Sequence, residues 1–144
     1  MTVPPGREVY RHTELVLLMP GLPDPLDRLR DPEHAWAVKW LRHLAQYPFE
    51  HNTWLGTPVT VVANGDPQPL GPGTAMTGWL LCADKAPFVR AKLADGREVV
   101  FYTILPLHTA EQEYERRHGP RALLERFAAR GVPEVWDPDR PSAV

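Results

Sequence analysis

Seventeen prolines in 144 residues restrict where this chain can form regular structure. They are concentrated near the N-terminus, between Pro20 and Pro32, between Pro67 and Pro72, and in the C-terminal tail. Proline lacks a backbone N–H group and fixes φ, so helices and strands are expected mainly between these clusters. We therefore predict short elements connected by loops that form much of the surface.

Residues 34–47 carry an aromatic stripe at helical spacing. The apolar side of this segment is formed by Trp36, Trp40, Leu41, Leu44 and Tyr47. Basic and polar side chains fall on the opposite side. Asp31-Pro32-Glu33 precedes the stripe and has the composition of a helix start, with an acidic N-cap and proline at the first helical position. We predict an amphipathic helix that begins there and ends at Pro48.

Five segments have the composition of β-strands, being rich in β-branched, aromatic and other apolar residues. They are Thr13–Met19, Thr57–Val62, Thr77–Cys82, Phe88–Leu93 and Arg97–Leu105. The first is almost entirely apolar, which is typical of a strand near the centre of a sheet. Asp95-Gly96 connects the last two, and this pair favours a type I′ hairpin turn.

Two further helices are predicted in the C-terminal third. Thr109 and Gln112 have the spacing of a capping box, so one helix should begin at Ala110 and end at Gly119. Pro120 should begin the next helix, which ends at Gly131. The predicted buried face of that helix consists of Leu123, Leu124, Phe127 and Ala128. Glu134–Trp136 is expected to add a short edge strand.

These patterns predict an α+β protein with one mostly antiparallel, mixed β-sheet and about three helices packed against it. A chain of this length forms one domain and buries roughly two-thirds of the surface that it exposes when unfolded. We place the domain at residues 8–138. Residues 1–7 and 139–144 are predicted to be flexible termini.

Composition makes several classes of partner unlikely for this chain. The formal net charge is -2 and the basic residues are scattered, so nucleic acid is not a predicted partner. No apolar run approaches the roughly 20 residues that cross a bilayer, so no membrane association is predicted. The lone Cys82 excludes an internal disulfide, and the N-terminus lacks the pattern of a secretory signal. Cytoplasmic location is the resulting expectation.

The sequence contains no recognisable catalytic or cofactor-binding motif. Its six histidines lack the spacing of a metal site, and Cys82 lies in an apolar strand where a thiol is usually part of the packing. Gly71-Pro72-Gly73 lacks the lysine that ends a phosphate-binding loop. We predict no metal, no cofactor and no enzymatic activity. A hydrolase is the alternative from another class, and it would need a carboxylate within hydrogen-bond reach of His12 or His51.

The loop after the first predicted helix is the strongest candidate for a binding surface. It places a tryptophan beside polar and acidic residues, a composition typical of interface anchors. The alternative is that this tryptophan is a core residue that packs against the sheet. The predicted partner-binding residues are Glu50, His51, Trp54 and Asp66, the last of which lies in a turn that can extend the same surface. Trp54→Ala is expected to weaken partner capture without lowering the melting temperature.

The order of these segments resembles the suppressor of fused domain family. Tyr10–Val16 is similar to the family's tyrosine-arginine and Glu-Leu strand entry. Trp36–Gly56 is similar to its helix with Leu-Ala-x-x-Pro and its Thr-Trp-Leu loop. The resemblance continues through Asn64–Pro67, Phe101–Leu107, Glu111, Tyr114, Gly119, Leu123 and Leu124. Gly56-Thr57-Pro58 departs from the family's usual Gly-His-Thr.

The resemblance implies protein binding without catalysis. A eukaryotic member sequesters a transcription factor, and bacterial members resemble immunity proteins that neutralise a toxin. The expected partner is therefore a cognate toxin, bound by steric occlusion, or a regulated protein held by a regulatory adaptor. Family members usually carry further strands before the tyrosine-arginine entry. We therefore expect either a truncated or internally initiated form, or a sheet edge that pairs with a partner or with a second copy in a homodimer.

Overall fold

Five strands and three α-helices make up the described part of the chain, which in this computed structural model comprises residues 3–20, 32–56, 59–83, 89–137 and 139–144. The strands are β1 (Thr13–Val16), β2 (Val59–Ala63), β3 (Gly78–Ala83), β4 (Arg90–Lys92) and β5 (Glu98–Leu107). The helices are α1 (Pro32–Glu50), α2 (Thr109–His118) and α3 (Pro120–Arg130). A 3₁₀ turn at Glu8–Arg11 precedes β1. The predicted α+β class is confirmed.

The five strands form one mixed sheet with the order β1-β5-β3-β2, and β4 also pairs with β5. The β1–β5 pair is parallel, with Leu15 opposite Tyr102. The β2–β3, β3–β5 and β4–β5 pairs are antiparallel. The sheet is thus mostly antiparallel, as predicted from the strand patterns.

β5 occupies the central position that was predicted for the Thr13–Met19 segment. That prediction is wrong, because β1 pairs only with β5 among the described strands and lies at the sheet edge. The segment is apolar for another reason. Leu15, Leu17 and Met19, at alternate positions, pack against the core beneath α1. The predicted strand at 134–136 is reduced to one parallel bridge between Leu18 and Val135.

The sheet is covered by helices on both faces. Trp79, Leu81, Tyr102 and Ile104 point toward α1 and pack with Trp36 and Leu44, whereas Leu80, Leu105 and Leu107 point the other way and pack with Leu123 and Phe127 of α3. Successive strand residues face opposite sides, so burial on both faces requires apolar residues at consecutive positions. All six residues of β3 are buried accordingly.

The β4–β5 hairpin has a three-residue loop and not the predicted type I′ turn. Gly96 has φ 86°, but Asp95 does not share the positive φ that a type I′ turn needs at both central residues. Leu93 N–H donates to Arg97 O at 2.8 Å, and Gly96 N–H donates to Leu93 O at 2.9 Å. This is a tight turn followed by a left-handed glycine that bulges the hairpin.

Helix termini differ from the sequence predictions by one or two residues. α2 begins at Thr109 and has His108 as its N-cap, because the Glu111 carboxylate and not Gln112 accepts the N-cap backbone N–H. Gly119 ends α2 and Gly131, with φ 63°, ends α3, as predicted. Ala128 is exposed, unlike the rest of the predicted buried face of α3. The predicted N-cap Asp31 lies outside the described residues.

The C-terminal segment is packed, so the predicted flexible terminus at 139–144 is wrong. Arg140 is 7% exposed and Ala143 is 2% exposed. Sequence patterns miss this packing because the partners of the segment lie about thirty residues away on α2. At the other terminus Val3, within the predicted flexible 1–7 segment, packs against the core beneath α1.

Gly71→Ala is expected to lower the free energy of unfolding by about 1–3 kcal/mol through overpacking. A Cβ atom at this position would clash with the indole ring of Trp36 on α1. Gly56→Ala is the matched control, because its Cβ atom would meet only Thr60 Oγ1 at 3.4 Å. Urea unfolding of both variants measures the difference, and equal stability of the two would contradict the described packing of Trp36 on Gly71.

Candidate functional site

The loop after α1 is held by a hydrogen-bonded C-terminal cap. Thr53 N–H donates to Pro48 O at 2.9 Å, and Asn52 N–H approaches Phe49 O at 3.4 Å. Asn52 has φ 47°, a left-handed conformation that asparagine tolerates better than most residues. This Schellman-type cap ends α1 two residues after Pro48, where the sequence analysis had placed the end of the helix.

The loop residues Glu50, His51 and Trp54 differ in exposure. Glu50 and His51 are exposed, and the His51 ring lies 4.3 Å from the Tyr47 ring. Trp54 is partly buried, packs against the core beneath α1, and lies 6.0 Å from the Tyr10 ring. The first two are therefore accessible to a partner, whereas Trp54 also supports the fold.

A cleft of about 340 Å³ borders this loop and was not predicted from the sequence. It is formed where the end of α1 approaches β1 and the β4–β5 hairpin. Its apolar walls are Leu15, Ala45, Pro48, Phe49, Leu93 and Val99. Phe49 and Leu55, which flank residues 50–54 in sequence, line the cleft, whereas residues 50–54 themselves do not.

Apolar surface is exposed at the cleft. The Phe49 side chain is 68% exposed and the Leu93 side chain is 40% exposed. Large apolar side chains that stay in water next to a concave surface mark binding sites more often than isolated exposed residues do. Their proximity follows from tertiary structure, since Phe49 ends a helix and Leu93 begins a hairpin loop.

The polar rim of the cleft contains charges of both signs. Arg11, His12, Glu14 and Arg97 contribute to its lining. Arg97 forms an ion pair with Asp95 at 2.7 Å. The hydrogen bond from the Arg97 side chain is the main cause that holds the pKa of Asp95 below its usual value, and the Arg97 backbone N–H adds to it. The Arg97 side chain is thereby held at the mouth of the cleft.

β1 lies at one edge of the described sheet. One side of β1 pairs with Val100–Thr103 of β5, and no other described strand pairs with it. Unpaired N–H and C=O groups at a strand edge can accept a further strand from another polypeptide. The edge and the apolar cleft share the residues Thr13, Glu14 and Leu15.

Asp66 is not close to the other three predicted residues. It is exposed in the turn after β2, where Ala63 pairs with Gly78. Residues 50–54 lie before β2, whose first residue pairs with Cys82 at the other end of β3. β2 has five residues, so its ends are separated by roughly 13 Å.

Among the described residues, the histidine–carboxylate pair that the hydrolase alternative needs is not found. Within the described ranges, neither His12 nor His51 forms a hydrogen bond or an ion pair with a carboxylate. His12 contributes only a minor electrostatic effect on Asp95. Among the described residues, no group of three or more His, Cys, Asp or Glu side chains could hold a metal ion. No helix in that part of the chain is long and apolar enough to cross a membrane.

A family model described as "Suppressor of fused protein (SUFU)" matches residues 1–141, nearly the whole chain. The match confirms the resemblance on which the sequence analysis relied. It also extends beyond the predicted domain bounds of 8–138. No curated protein and no solved structure matches the chain.

Trp54→Ala is expected to lower the free energy of unfolding by about 1–3 kcal/mol, because the side chain is partly buried against Tyr10. This differs from the expectation drawn from the sequence alone, which was an unchanged melting temperature. Phe49→Ala is the control and should change stability by about 0.5 kcal/mol or less, since Phe49 is mostly exposed. Wild-type stability of Trp54→Ala in urea unfolding would identify Trp54 as a free surface anchor.

Proposed function

This chain belongs to the suppressor of fused family, and from that premise we propose that it binds one protein partner at the cleft and neutralises that partner by steric occlusion. Domains of this family have protein-interaction and regulatory roles without catalysis. The partner in this proposal is a cognate toxin, and the chain acts as its immunity protein. The exposed Phe49 beside the cleft is the observation that supports the surface most strongly.

The contacts around Phe49 suit the centre of a protein interface. An exposed aromatic side chain next to an apolar concavity can be desolvated by a complementary partner, and such central anchors contribute most of the binding energy. Glu50 and His51 follow Phe49 directly and are exposed, so they suit the polar rim. The capped loop holds these residues before binding, which reduces the entropy lost on association.

Asp66 fits the proposal as a peripheral contact. An interface of standard size buries roughly 800 Å² on each partner, which is wide enough to extend past the length of β2. Asp66 would then contribute at the rim through long-range attraction to a basic partner. Its replacement should change the association rate and the salt dependence more than the dissociation rate.

The second candidate function is a regulatory adaptor, and the position of β1 at an edge of the described sheet favours it. An adaptor would bind an extended segment of a regulated protein by adding it to β1, with one side chain of that segment in the cleft. A short peptide from the partner would then reproduce most of the affinity of the whole partner. In the immunity proposal only the folded toxin domain binds with full affinity.

The same edge could pair with a second copy of the chain. In that case the cleft residues would be covered in a homodimer, and partner binding would compete with self-association. Size-exclusion chromatography with light scattering over a range of concentrations distinguishes this case, because dimer formation depends on protein concentration.

Phe49→Ser is expected to weaken binding of the isolated partner by about tenfold or more, since it removes an apolar anchor while leaving the fold intact. Val135→Ser is the control. It also replaces an exposed apolar side chain with serine, but Val135 does not line the cleft. His51→Ala tests the rim in the same titration. The partner is obtained with the purified chain as bait, and calorimetry measures the affinities.

For the immunity role, cells that express a toxin encoded beside this gene should grow only when the chain is co-expressed, and Phe49→Ser should abolish that protection. Binding unchanged by Phe49→Ser and lost with Val135→Ser would contradict the proposed surface. Binding to the cleft without any effect on a toxin would contradict the immunity role and favour the adaptor.

A further inference from the structure

The C-terminal residues 139–144, called the strap below, insert one charged side chain into the protein. The Arg140 side chain is 6% exposed and the Glu111 side chain is 0% exposed. Arg140 Nη1 donates to Glu111 Oε1 at 2.6 Å, and Nη2 donates to Oε2 at 2.7 Å. The two groups therefore form a buried, bidentate ion pair, the strongest geometry available to these side chains.

The remaining hydrogen-bonding capacity of the pair is also used. Ala143 N–H donates to Glu111 Oε1, and His108 N–H donates to Oε2, both at 2.9 Å. Arg140 Nη2 also donates to Pro106 O at 2.7 Å. A buried carboxylate with several donors is stable only while those donors stay in place.

The site that receives the strap is built from regular structure. Glu111 belongs to α2, His108 is the N-cap residue that precedes this helix, Pro106 belongs to β5, and Phe127 belongs to α3. The guanidinium of Arg140 lies 5.2 Å from the centre of the Phe127 ring, within range of a cation–π contact. These elements pack through the core on the face of the sheet opposite α1, and Ala143 of the strap is one of the buried residues of that core.

The strap itself resembles a bound peptide. Its residues belong to no helix or strand. His108 Nε2 donates to Arg140 O at 2.9 Å, and Ala143, 2% exposed, adds a small apolar anchor three residues after Arg140. Val144 remains exposed. One charged anchor, one apolar anchor and backbone hydrogen bonds are the elements of peptide recognition.

A cavity separates part of the strap from the loop after α3. It has a volume of about 310 Å³, and its walls include Arg130, Val132 and Pro133 on one side and Arg140, Pro141 and Ser142 on the other. Most of its lining residues are exposed, so it is an open pocket at the surface. The strap is held by the ion pair of Arg140 and by the burial of Ala143, while Pro141 between them is exposed.

We propose that Glu111, His108 and Phe127 form a peptide-binding site that the strap occupies in cis. Its ligand is a peptide segment with an arginine followed three residues later by a small apolar residue. A protein segment of this chemistry displaces the strap and docks between α2 and α3. The site lies on the opposite face of the sheet from the cleft, so it is independent of the function proposed above.

Arginine is required in this site and lysine does not replace it. The two oxygens of Glu111 and the carbonyl of Pro106 need donors in the planar fork of a guanidinium, whereas an ammonium is a single point of charge. The tethered strap competes at an effective concentration in the millimolar range, so a free peptide should bind only when the strap is weakened.

The full chain with Arg140→Ala provides that weakened state. A fluorescent peptide with the sequence of residues 137–144 should bind this variant saturably and raise its lowered melting temperature. Wild-type chain is the control, and its occupied site should bind the same peptide at least about tenfold more weakly. A peptide with Arg140→Lys should bind the Arg140→Ala chain at least about tenfold more weakly than the peptide that carries arginine.

Absence of saturable peptide binding to a natively folded Arg140→Ala chain would overturn the proposal, as would equal binding to the variant and the wild type. The ion pair would then be a structural link only. If circular dichroism shows that Arg140→Ala is unfolded, the full chain with Arg140→Lys takes its place, because a lysine there keeps a cation beside Glu111. For that variant too, absence of saturable peptide binding, or binding equal to that of the wild type, would overturn the proposal.

Discussion

The burial of β5 on both faces is the constraint on which the rest of the structure depends. β5 pairs with β1, β3 and β4, and it contributes Tyr102 and Ile104 to one core and Leu105 and Leu107 to the other. A strand in this position needs apolar residues at consecutive positions, which the run from Val99 to Leu107 supplies. Since helices cover both faces, the edge of the described sheet at β1 is where backbone groups and apolar side chains of the cleft lie together.

That arrangement connects the fold to protein binding. The hydroxyl of Tyr102 donates to Leu55 O at 2.9 Å, so the central strand holds the end of the loop that follows α1. The cap at Asn52 holds the other part of the same loop. Phe49 is therefore presented from a rigid support beside the cleft, which suits an interface anchor better than a mobile loop would.

Patterns in the sequence predict the elements that depend on local chemistry. The glycines that end α2 and α3, the stripe on α1, and the apolar run of β5 all have short-range signals, and each is found in the structure. The predictions that fail concern residues whose surroundings are formed by parts of the chain distant in sequence. β1 is apolar because of the core beneath α1 and not because it is central, and the capping carboxylate Glu111 is also the partner of a distant arginine.

The candidate site also combines features that the sequence predicts with features that depend on tertiary contacts. The loop containing Glu50, His51 and Trp54 could be selected by composition, and the family resemblance pointed to protein binding. The cleft could not be predicted, because it requires β1 and the hairpin, which are distant in sequence, to meet beside Pro48. Partial burial of Trp54 depends on Tyr10, which lies in a turn that no sequence pattern connects with the loop.

Hydrogen–deuterium exchange of the chain with and without its partner tests the central claim most directly. If the partner binds at the edge of β1, amides of residues 11–16, 48–56 and 93–99 gain protection together, while those of α2 and α3 remain unchanged. Protection confined to α2, α3 or the turn containing Asp66, with none at β1 or the end of α1, would contradict the account.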